Sequence, residues 1–219
     1  MDMVLTDVEA RVLGCLIEKS LTTPEYYPLT LNSLVAACNQ KSNRNPVMGL
    51  DERAVADGID GLRYTHHLVC QVSTAGSRVP KFKHDTEGKL PLTDLDLALM
   101  CELLLRGPQT AGELRTHGRR LCEIESVAAV SDAMHTLARL EPDAMVVQLS
   151  PGAGHREPRY AQLLCGEVDP MLEPAVVHAP HVSPARDERL VELEAKVDAL
   201  QDEVQSLHKA FDMFRTQFE

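Results

Sequence analysis

The sequence predicts a mainly α-helical protein with small β-hairpins (an α+β fold), in which one structural unit occurs twice and a final helix follows. Two patterns support this prediction. Residues 1–90 and 91–165 share one order of apolar segments and turn signals, and residues 187–219 carry a heptad repeat. The composition agrees, because 44% hydrophobic and 25% charged residues are ordinary for globular domains. A chain of 219 residues is long enough for two domains.

Both copies begin with the same helix signal. Leu5-Thr6-Asp7 opens one segment with helical apolar spacing, and Leu92-Thr93-Asp94 opens another, 87 residues later. In each, the threonine can accept a hydrogen bond as an N-cap, and the carboxylate that follows suits the positive end of the helix dipole. An amphipathic helix is therefore predicted at the start of each copy.

A second and a third helix follow in each copy. A proline and a threonine precede the second helix, in Pro28-Leu29-Thr30 and in Pro108-Gln109-Thr110. The third helix is marked by apolar residues at helical spacing. These residues are Val55, Ile59 and Leu62 in the first copy and Val127, Val130, Met134 and Leu137 in the second.

A hairpin signal ends each copy. The outgoing β-rich runs are residues 68–72 and 145–149, the Gly- and Pro-containing turns are 73–80 and 150–158, and the return strands are 81–83 and 159–161. Three helices followed by a β-hairpin is the order of a winged helix. The sequence therefore predicts two tandem winged-helix domains, at residues 1–90 and 91–165.

An eleven-residue polar segment, 38–48 (CNQKSNRNPVM), is called the signature loop below. It resembles the signature loop of the YceH-like family, bacterial tandem winged-helix proteins that are mostly of unknown function. Three further stretches are similar to that family: 5–25, which contains LTDVEARVLGCLIEK and TTPE, then 103–115 (LLLRGPQTAGELR), then 156–160 (REPRY). The resemblance covers roughly residues 3–165. It implies the fold, and it implies no reaction, substrate or binding residue.

The last part of the chain has a different character. Four prolines between residues 166 and 186 predict an extended linker, and residues 187–219 predict a coiled-coil helix. Valine at a positions and leucine at d positions favours a parallel homodimer, and the alternative is a helix that folds back on its own domains. The predicted dimerisation residues are Leu190, Leu193, Val197, Leu200, Val204, Leu207, Phe211 and Phe214.

The charge distribution bears on the choice of partner. The net charge of −11 argues against indiscriminate binding of nucleic acid by the whole surface. Most of the acidity lies in residues 166–219, where five Lys and Arg face twelve Asp and Glu, whereas residues 1–90 carry ten against eleven. The third helix of the first copy offers phosphate little, because Arg53 there is outnumbered by Asp57 and Asp60.

Polar and basic residues on the signature loop and the first hairpin are the better candidates for binding double-stranded DNA. The predicted phosphate contacts are Lys41, Asn43, Arg44, Arg78, Lys81 and Lys83, and Arg53 and Tyr64 are predicted to contact bases or sugars. The hypothesis is a non-enzymatic, dimeric DNA-binding regulator. Reversing Lys41 and Arg44 to Glu should then weaken DNA retention without lowering thermal stability.

The alternative hypothesis is an acidic adaptor that binds other proteins in a chromosome-organising or similar complex. In that case the signature loop is a structural insertion whose asparagines fix turns. Salt dependence separates the two hypotheses, because phosphate contacts weaken steeply as salt rises.

Other chemistry is weakly indicated. No catalytic motif points to an enzyme or to a cofactor. His66, His67 and Cys70 form the only local group of metal-ligand types, and they are interpreted as a helix end and a strand rather than as a metal site. Six singly spaced cysteines and the lack of an export signal predict reduced thiols in a cytoplasmic protein, and no apolar run is long enough to span a membrane.

Overall fold

The computed structural model describes residues 3–72, 79–87, 89–90, 92–150 and 157–168. The predicted coiled-coil helix, its dimerisation residues, nearly all of the predicted linker and the tips of both hairpins lie outside these residues. Arg78 lies outside them too.

The first copy has helices and strands in a simple order. Its elements are α1 (Asp7–Thr22), β1 (Leu29–Thr30), α2 (Leu31–Cys38), α3 (Glu52–Asp60), β2 (Val69–Val72) and β3 (Lys81–His84). A 3₁₀ turn at Pro24–Tyr26 precedes β1, and a π-helical turn at Gly61–Thr65 extends α3. The hairpin strands fall within a residue of their predicted positions.

The second copy repeats this order. Its elements are α4 (Asp94–Arg106), β4 (Gln109–Thr110), α5 (Ala111–Gly118), α6 (Val127–Ala138), β5 (Val146–Leu149) and β6 (Arg159–Gln162). The predicted mixture of helices with small antiparallel sheets is therefore confirmed over the described residues.

Threonine side chains set the helix starts as the sequence predicts. Thr6 and Thr93 each accept a hydrogen bond from the amide three residues on, and the carboxylate at that third position accepts from the threonine amide in return. These capping boxes satisfy amide groups that have no partner within the helix. Thr30 caps α2 and Thr110 caps α5 through the same side-chain bond.

Each sheet has three strands, one more than the sequence predicts. The orders are β1-β3-β2 and β4-β6-β5, and all pairs are antiparallel. The additional strands are only two residues long, which is too short to show a period-2 pattern in sequence. The central strands carry Phe82 and Tyr160 into the core.

The first helices of the two copies pack on each other through Gly14. A Cβ at Gly14 would lie 2.9 Å from Cδ2 of Leu105, so the absent side chain lets α1 and α4 approach closely. The thiol of Cys101 donates to the Gly14 carbonyl at 3.3 Å. One apolar cluster consequently includes Leu16 of the first copy and Leu99 of the second.

Candidate nucleic-acid interface

Arg44 does not lie where the DNA hypothesis needs it. The residue is only 5% exposed, and its guanidinium forms two hydrogen bonds with Glu18, of 3.0 and 2.5 Å. It also donates to the carbonyl of Ala37 and to Oε1 of Gln40. The structure therefore corrects the expectation that Arg44 is available to phosphate, because its side chain is buried around an internal carboxylate.

Asn43 is also directed inward. It adopts a positive φ of 58°, and its Oδ1 accepts a hydrogen bond from Nη2 of Arg106. Asparagine tolerates this left-handed conformation better than most residues. Of the three signature-loop residues predicted to contact phosphate, Lys41 is the one whose side chain is exposed.

The outer face of α3 offers little positive charge, as the sequence indicates. Nε of Arg53 lies 4.0 Å from a carboxylate oxygen of Asp57, and both side chains are largely in solvent. Tyr64 is exposed but contacts the guanidinium of Arg63, which is itself 3.7 Å from Asp60. Arg53 and Tyr64 thus sit among carboxylates that would repel phosphate.

A groove beside α2 has the opposite character. Its volume is about 360 Å³, and α1, α2 and the sheet contribute to its walls. Lys19 and Lys81 line it, and none of the described residues that line it is acidic. Nζ of Lys19 is, however, 3.4 Å from a carboxylate oxygen of the buried Glu18 behind the groove. The full lining is Lys19, Thr23, Tyr26, Pro28, Leu29, Thr30, Ser33, Ala36, Ala37, Gln40 and Lys81, and it is called the basic groove below.

Several polar groups of the basic groove lie at the start of α2. Thr30, the N-cap of α2, pairs with Lys81 across β1 and β3, so the cation lies beside the helix start. The hydroxyls of Thr30 and Ser33 are 2.9 Å apart. Tyr26, 73% exposed, adds a phenol group to the lining.

Sequence reasoning found part of this surface. It singled out Lys81, and also Lys41, which follows the groove residue Gln40 in the chain. It missed Lys19, because that residue is on α1 and only the fold brings α1 to the same side of the sheet. The N-cap signal at Thr30 was the available clue to the helix start.

Lys83 faces different surroundings, although it is on the same strand as Lys81. It lines a separate cavity of about 320 Å³ with Asp85, Glu87 and Asp94. These carboxylates offset its charge, so the structure separates Lys83 from the basic groove. Lys83 is consequently a useful comparison for Lys81.

The second copy repeats the position of Lys81 but not the open helix start. Arg159 pairs with Thr110 across β4 and β6, as Lys81 pairs with Thr30. However, Nη2 of Arg159 donates to the Pro108 carbonyl, and the first-turn carboxylate of α5 accepts from the Thr110 amide at 2.8 Å. The N-terminus of α5 therefore already holds a carboxylate, where α2 has a serine.

A group of buried and half-buried charged side chains lies next to the basic groove, and it is called the ion cluster below. The two are connected because Arg44 of the ion cluster donates a hydrogen bond to the carbonyl of Ala37, which lines the groove. Its members are Glu18, Lys19, Arg44, Glu102, Arg106 and Arg120. Glu18 forms an ion pair with Arg44 of its own copy. It also pairs with Arg120 of the second copy, whose Nη1 is 2.5 Å from Oε1 of Glu18. Arg120 in turn pairs with Glu102 at 2.7 Å. Burial alone would raise the pKa of Glu18, but its bonds to Arg44 and Arg120 outweigh burial and lower the pKa to about 2.

The signature loop also holds the end of α4. The backbone N–H of Asn45 donates to the Leu105 carbonyl at 2.9 Å, and its side-chain amide donates to the Arg106 carbonyl at 3.4 Å. These carbonyls belong to the last turn of α4, where no partner exists within the helix. The loop of the first copy therefore contacts and satisfies a helix end of the second. Nothing local in the sequence indicates this contact, because the partners are about 60 residues apart.

Two other kinds of site are not found among the described residues. No three His, Cys, Asp or Glu side chains come together there as metal ligands would, and His66 instead lies 3.6 Å from Glu9. No helix in the described part of the chain is both long and apolar enough to cross a membrane.

Comparison with known proteins gives a consistent result. Residues 5–155 match the profile of a family described as a protein of unknown function, DUF480. A UPF0502 protein of Pelobacter propionicus is 48% identical over 223 residues, covering all of both chains, and one of Geobacter sulfurreducens is 46% identical over 224 residues with the same coverage. A UPF0502 protein of Vibrio atlanticus is 46% identical over 94% of this chain and 96% of its own. The resemblance inferred from the signature loop is thereby confirmed.

Proposed function

The chain belongs to the DUF480 family of uncharacterised bacterial proteins, and we propose from its geometry that it is a non-enzymatic tandem winged-helix protein that binds double-stranded DNA through the basic groove. The repeated order of three helices and a hairpin supports the winged-helix assignment. The observation that carries the DNA proposal is a groove with two lysines and no acidic residue among its described lining, on a molecule of net charge −11.

The proposed contact surface is the groove beside α2, which includes Lys81 of the first hairpin but neither Arg53 nor Tyr64. Helix starts, hydroxyls and lysines are common partners of DNA phosphates. Thr30, Ser33 and Tyr26 supply the hydroxyl groups. Lys81 supplies the main positive charge, because Nζ of Lys19 also lies 3.4 Å from a carboxylate oxygen of Glu18. Lys41, the exposed cation of the signature loop, extends this surface. The positive charge of Arg53 on α3, by contrast, is offset by the carboxylate of Asp57.

Charge reversal of Lys81 is the principal test. We expect Lys81→Glu to weaken binding to a labelled mixed-sequence duplex at every salt concentration, because it removes one cation and adds one anion beside Thr30. Removing one phosphate partner should also reduce the slope of log affinity against log salt by about one. Fluorescence anisotropy across a salt series measures both quantities.

Two variants of equal charge change serve as controls. Lys83→Glu lies on the same strand among carboxylates, and Arg53→Glu lies on the outer face of α3. Both should bind DNA nearly as the unmodified chain does. If either control lost as much affinity for DNA as Lys81→Glu, or more, the basic groove would be refuted as the contact surface.

Binding of another protein is the second candidate function. The observation in its favour is the exposed face of α3, where Asp57, Asp60 and Tyr64 lie in solvent. In this case Tyr64→Ala should abolish capture of a partner from nuclease-treated lysate, while Lys81→Glu should leave capture intact. Capture that disappears on nuclease treatment favours DNA instead.

A further inference from the structure

The basic groove has a feature that contact with DNA phosphates does not require. Hydrogen-bond donors and positive charge are enough to hold a phosphate, whereas this groove is a concavity of about 360 Å³, within the size range of cavities that hold small ligands. Part of its wall is apolar and is formed by Pro28, Leu29 and Ala36. Such a wall offers a phosphate no hydrogen bond, so the groove is suited to hold an apolar group as well.

Tyr26 presents an aromatic ring to this groove from a well-anchored position. Its 3₁₀ turn, Pro24–Tyr26, is closed by a hydrogen bond from the Tyr26 amide to the Thr23 carbonyl at 3.0 Å. The next residue, Tyr27, ties the turn to the sheet, because its hydroxyl accepts a hydrogen bond from the His84 amide of β3 at 2.7 Å. Tyr26 itself is 73% exposed, so most of its ring is open to a partner.

The groups that suit a phosphate line the same concavity. Lys81 pairs with Thr30 across the sheet, and the Thr30 hydroxyl is 2.9 Å from that of Ser33. Because the bond between these two hydroxyls uses only one of their two protons, the other can be donated to a phosphate oxygen. A cation, a hydroxyl donor, an apolar wall and an aromatic ring therefore line one cavity. Proteins that bind single-stranded DNA combine positive charge in this way with aromatic rings on which bases stack.

We propose that the basic groove takes one unpaired nucleotide of a DNA strand, with its base stacked on Tyr26 and its phosphate beside Lys81. This inference rests on DNA binding by the basic groove and adds the form of DNA that binds most tightly. In an intact duplex each base is paired and stacked between its neighbours, and removing it from the stack costs free energy. An unpaired base leaves the stack at a lower cost, so Tyr26 discriminates between duplexes with and without such a base.

Three labelled duplexes with the same flanking sequence test this inference on the unmodified full-length chain. One is fully paired, one carries a single unpaired adenine, and one carries an abasic residue in place of that adenine. We expect the second duplex to bind about fivefold more tightly than the first, or more, which is the ratio that about 1 kcal/mol of stacking gives. The third should bind like the first, because it keeps the additional backbone unit but lacks the base.

Fluorescence anisotropy measures the three dissociation constants. If the duplexes with the unpaired adenine and the abasic residue bound equally, the groove would recognise a deformed backbone rather than a base, and the inference would be overturned. Equal affinity for all three duplexes would also overturn it, but would leave the proposed contact with double-stranded DNA intact. If none of the three bound, both proposals would be refuted. Displacement of the adenine-containing duplex by an equal concentration of free adenosine monophosphate would assign the groove to a free nucleotide and overturn the inference.

Two substitutions of Tyr26 then test the role of its ring. Tyr26→Ala should remove the preference for the unpaired adenine, whereas Tyr26→Phe should retain it, because stacking requires the ring and not the hydroxyl. Lys81→Glu should instead weaken the binding of all three duplexes by a similar factor, because it acts on the phosphate. A preference that survived in Tyr26→Ala would overturn the assignment of the ring. The comparison of the three duplexes requires no variant, so it tests the inference even where a variant fails to fold.

Discussion

Arg44 illustrates how one basic residue can belong to the surface or to the core, depending on a partner far away in sequence. On the printed sequence it is a cation in a polar loop, and loop cations are usually solvated. Its carboxylate partner, Glu18, lies 26 residues before it, on α1. Sequence periodicity places Glu18 on a helix but does not reveal that the loop turns back over it.

Removal of the Arg44 side chain should therefore lower stability directly. Arg44→Met leaves the buried carboxylate of Glu18 without its bidentate partner, and breaking a buried ion pair typically costs about 3–5 kcal/mol. Urea unfolding measures this decrease. The expectation from the sequence that charge reversal of this loop spares thermal stability should thus hold for Lys41 alone.

Lys41→Met is the matched control, because it removes a cation from the same loop at an exposed position. It should change the free energy of unfolding by no more than about 0.5 kcal/mol. If both variants unfolded at the same urea concentration as the unmodified chain, the pair between Arg44 and Glu18 would contribute nothing measurable.

His84 should make stability depend on pH. Its ring nitrogens lie 3.0 Å from Oγ of Ser20 and 3.1 Å from Oγ1 of Thr86, and burial lowers its pKa below the usual value of a histidine. The charged groups nearby are Lys83, Asp85, Glu87 and Asp94. The neutral ring is therefore the form that the folded protein holds.

The direction of the pH effect follows from linkage. As the pH falls, an unfolded histidine takes up its proton at about pH 6.5, before the folded one does. The stability that the neutral ring provides is thus present above about pH 6.5 and is lost as the pH falls toward the lowered folded pKa. In thermal unfolding, His84→Asn should lose less stability at acid pH than the unmodified chain does. His67→Asn, at an exposed position, should lose as much stability as the unmodified chain. If the thermal stability of both variants depended on pH to the same extent, the prediction would be contradicted.

At the scale of helices and strands, the sequence carried most of the information needed. Threonine N-caps at Thr6 and Thr93 and the apolar spacing behind them located the helices, because these signals act within one turn. The hairpins were located by turn residues between β-rich runs. The two-residue strands and the bond from Asn45 to the end of α4 were not predictable, since each depends on a partner in a distant segment.

The crossing of α1 and α4 should be sensitive to side-chain size at Gly14. Gly14→Val would place methyl groups into Leu104 and Leu105, and overpacking of a core typically costs about 1–3 kcal/mol. Gly112→Val is the control, because the nearest atom that its Cβ would meet is Oγ1 of Thr110, at 3.9 Å. Denaturant unfolding measures the free energy of unfolding of both variants. An equal decrease in the two would show that a larger side chain can be accommodated where α1 crosses α4.

At the scale of the whole molecule, the sequence predicted the repeated order of elements but only part of the candidate site. Lys41 and Lys81 were identified as single basic residues. Their relation to Lys19 and to the start of α2 required the fold, because β3 and α1 are brought together only when the sheet closes. Arg44 was misplaced for the same reason.

The coiled-coil proposal for residues 187–219 is tested by particle mass. Deletion of residues 186–219 should about halve the mass measured by light scattering, because the heptad seam is the proposed dimer contact. Leu200→Asp, at a seam position, should have the same effect in the full-length chain, and Asp202→Asn, outside the seam, should not. A mass reduced only by the deleted residues would show that assembly has another cause.

The close approach at Gly14 has a consequence for how the duplicated unit can exist. The strip of α1 around this glycine covers Leu104 and Leu105, so a fragment that ends near residue 90 would expose it to water. Each half supplies part of the interior of the other. We therefore expect a truncated half to self-associate through this exposed strip, whereas the full-length chain covers the strip with α4.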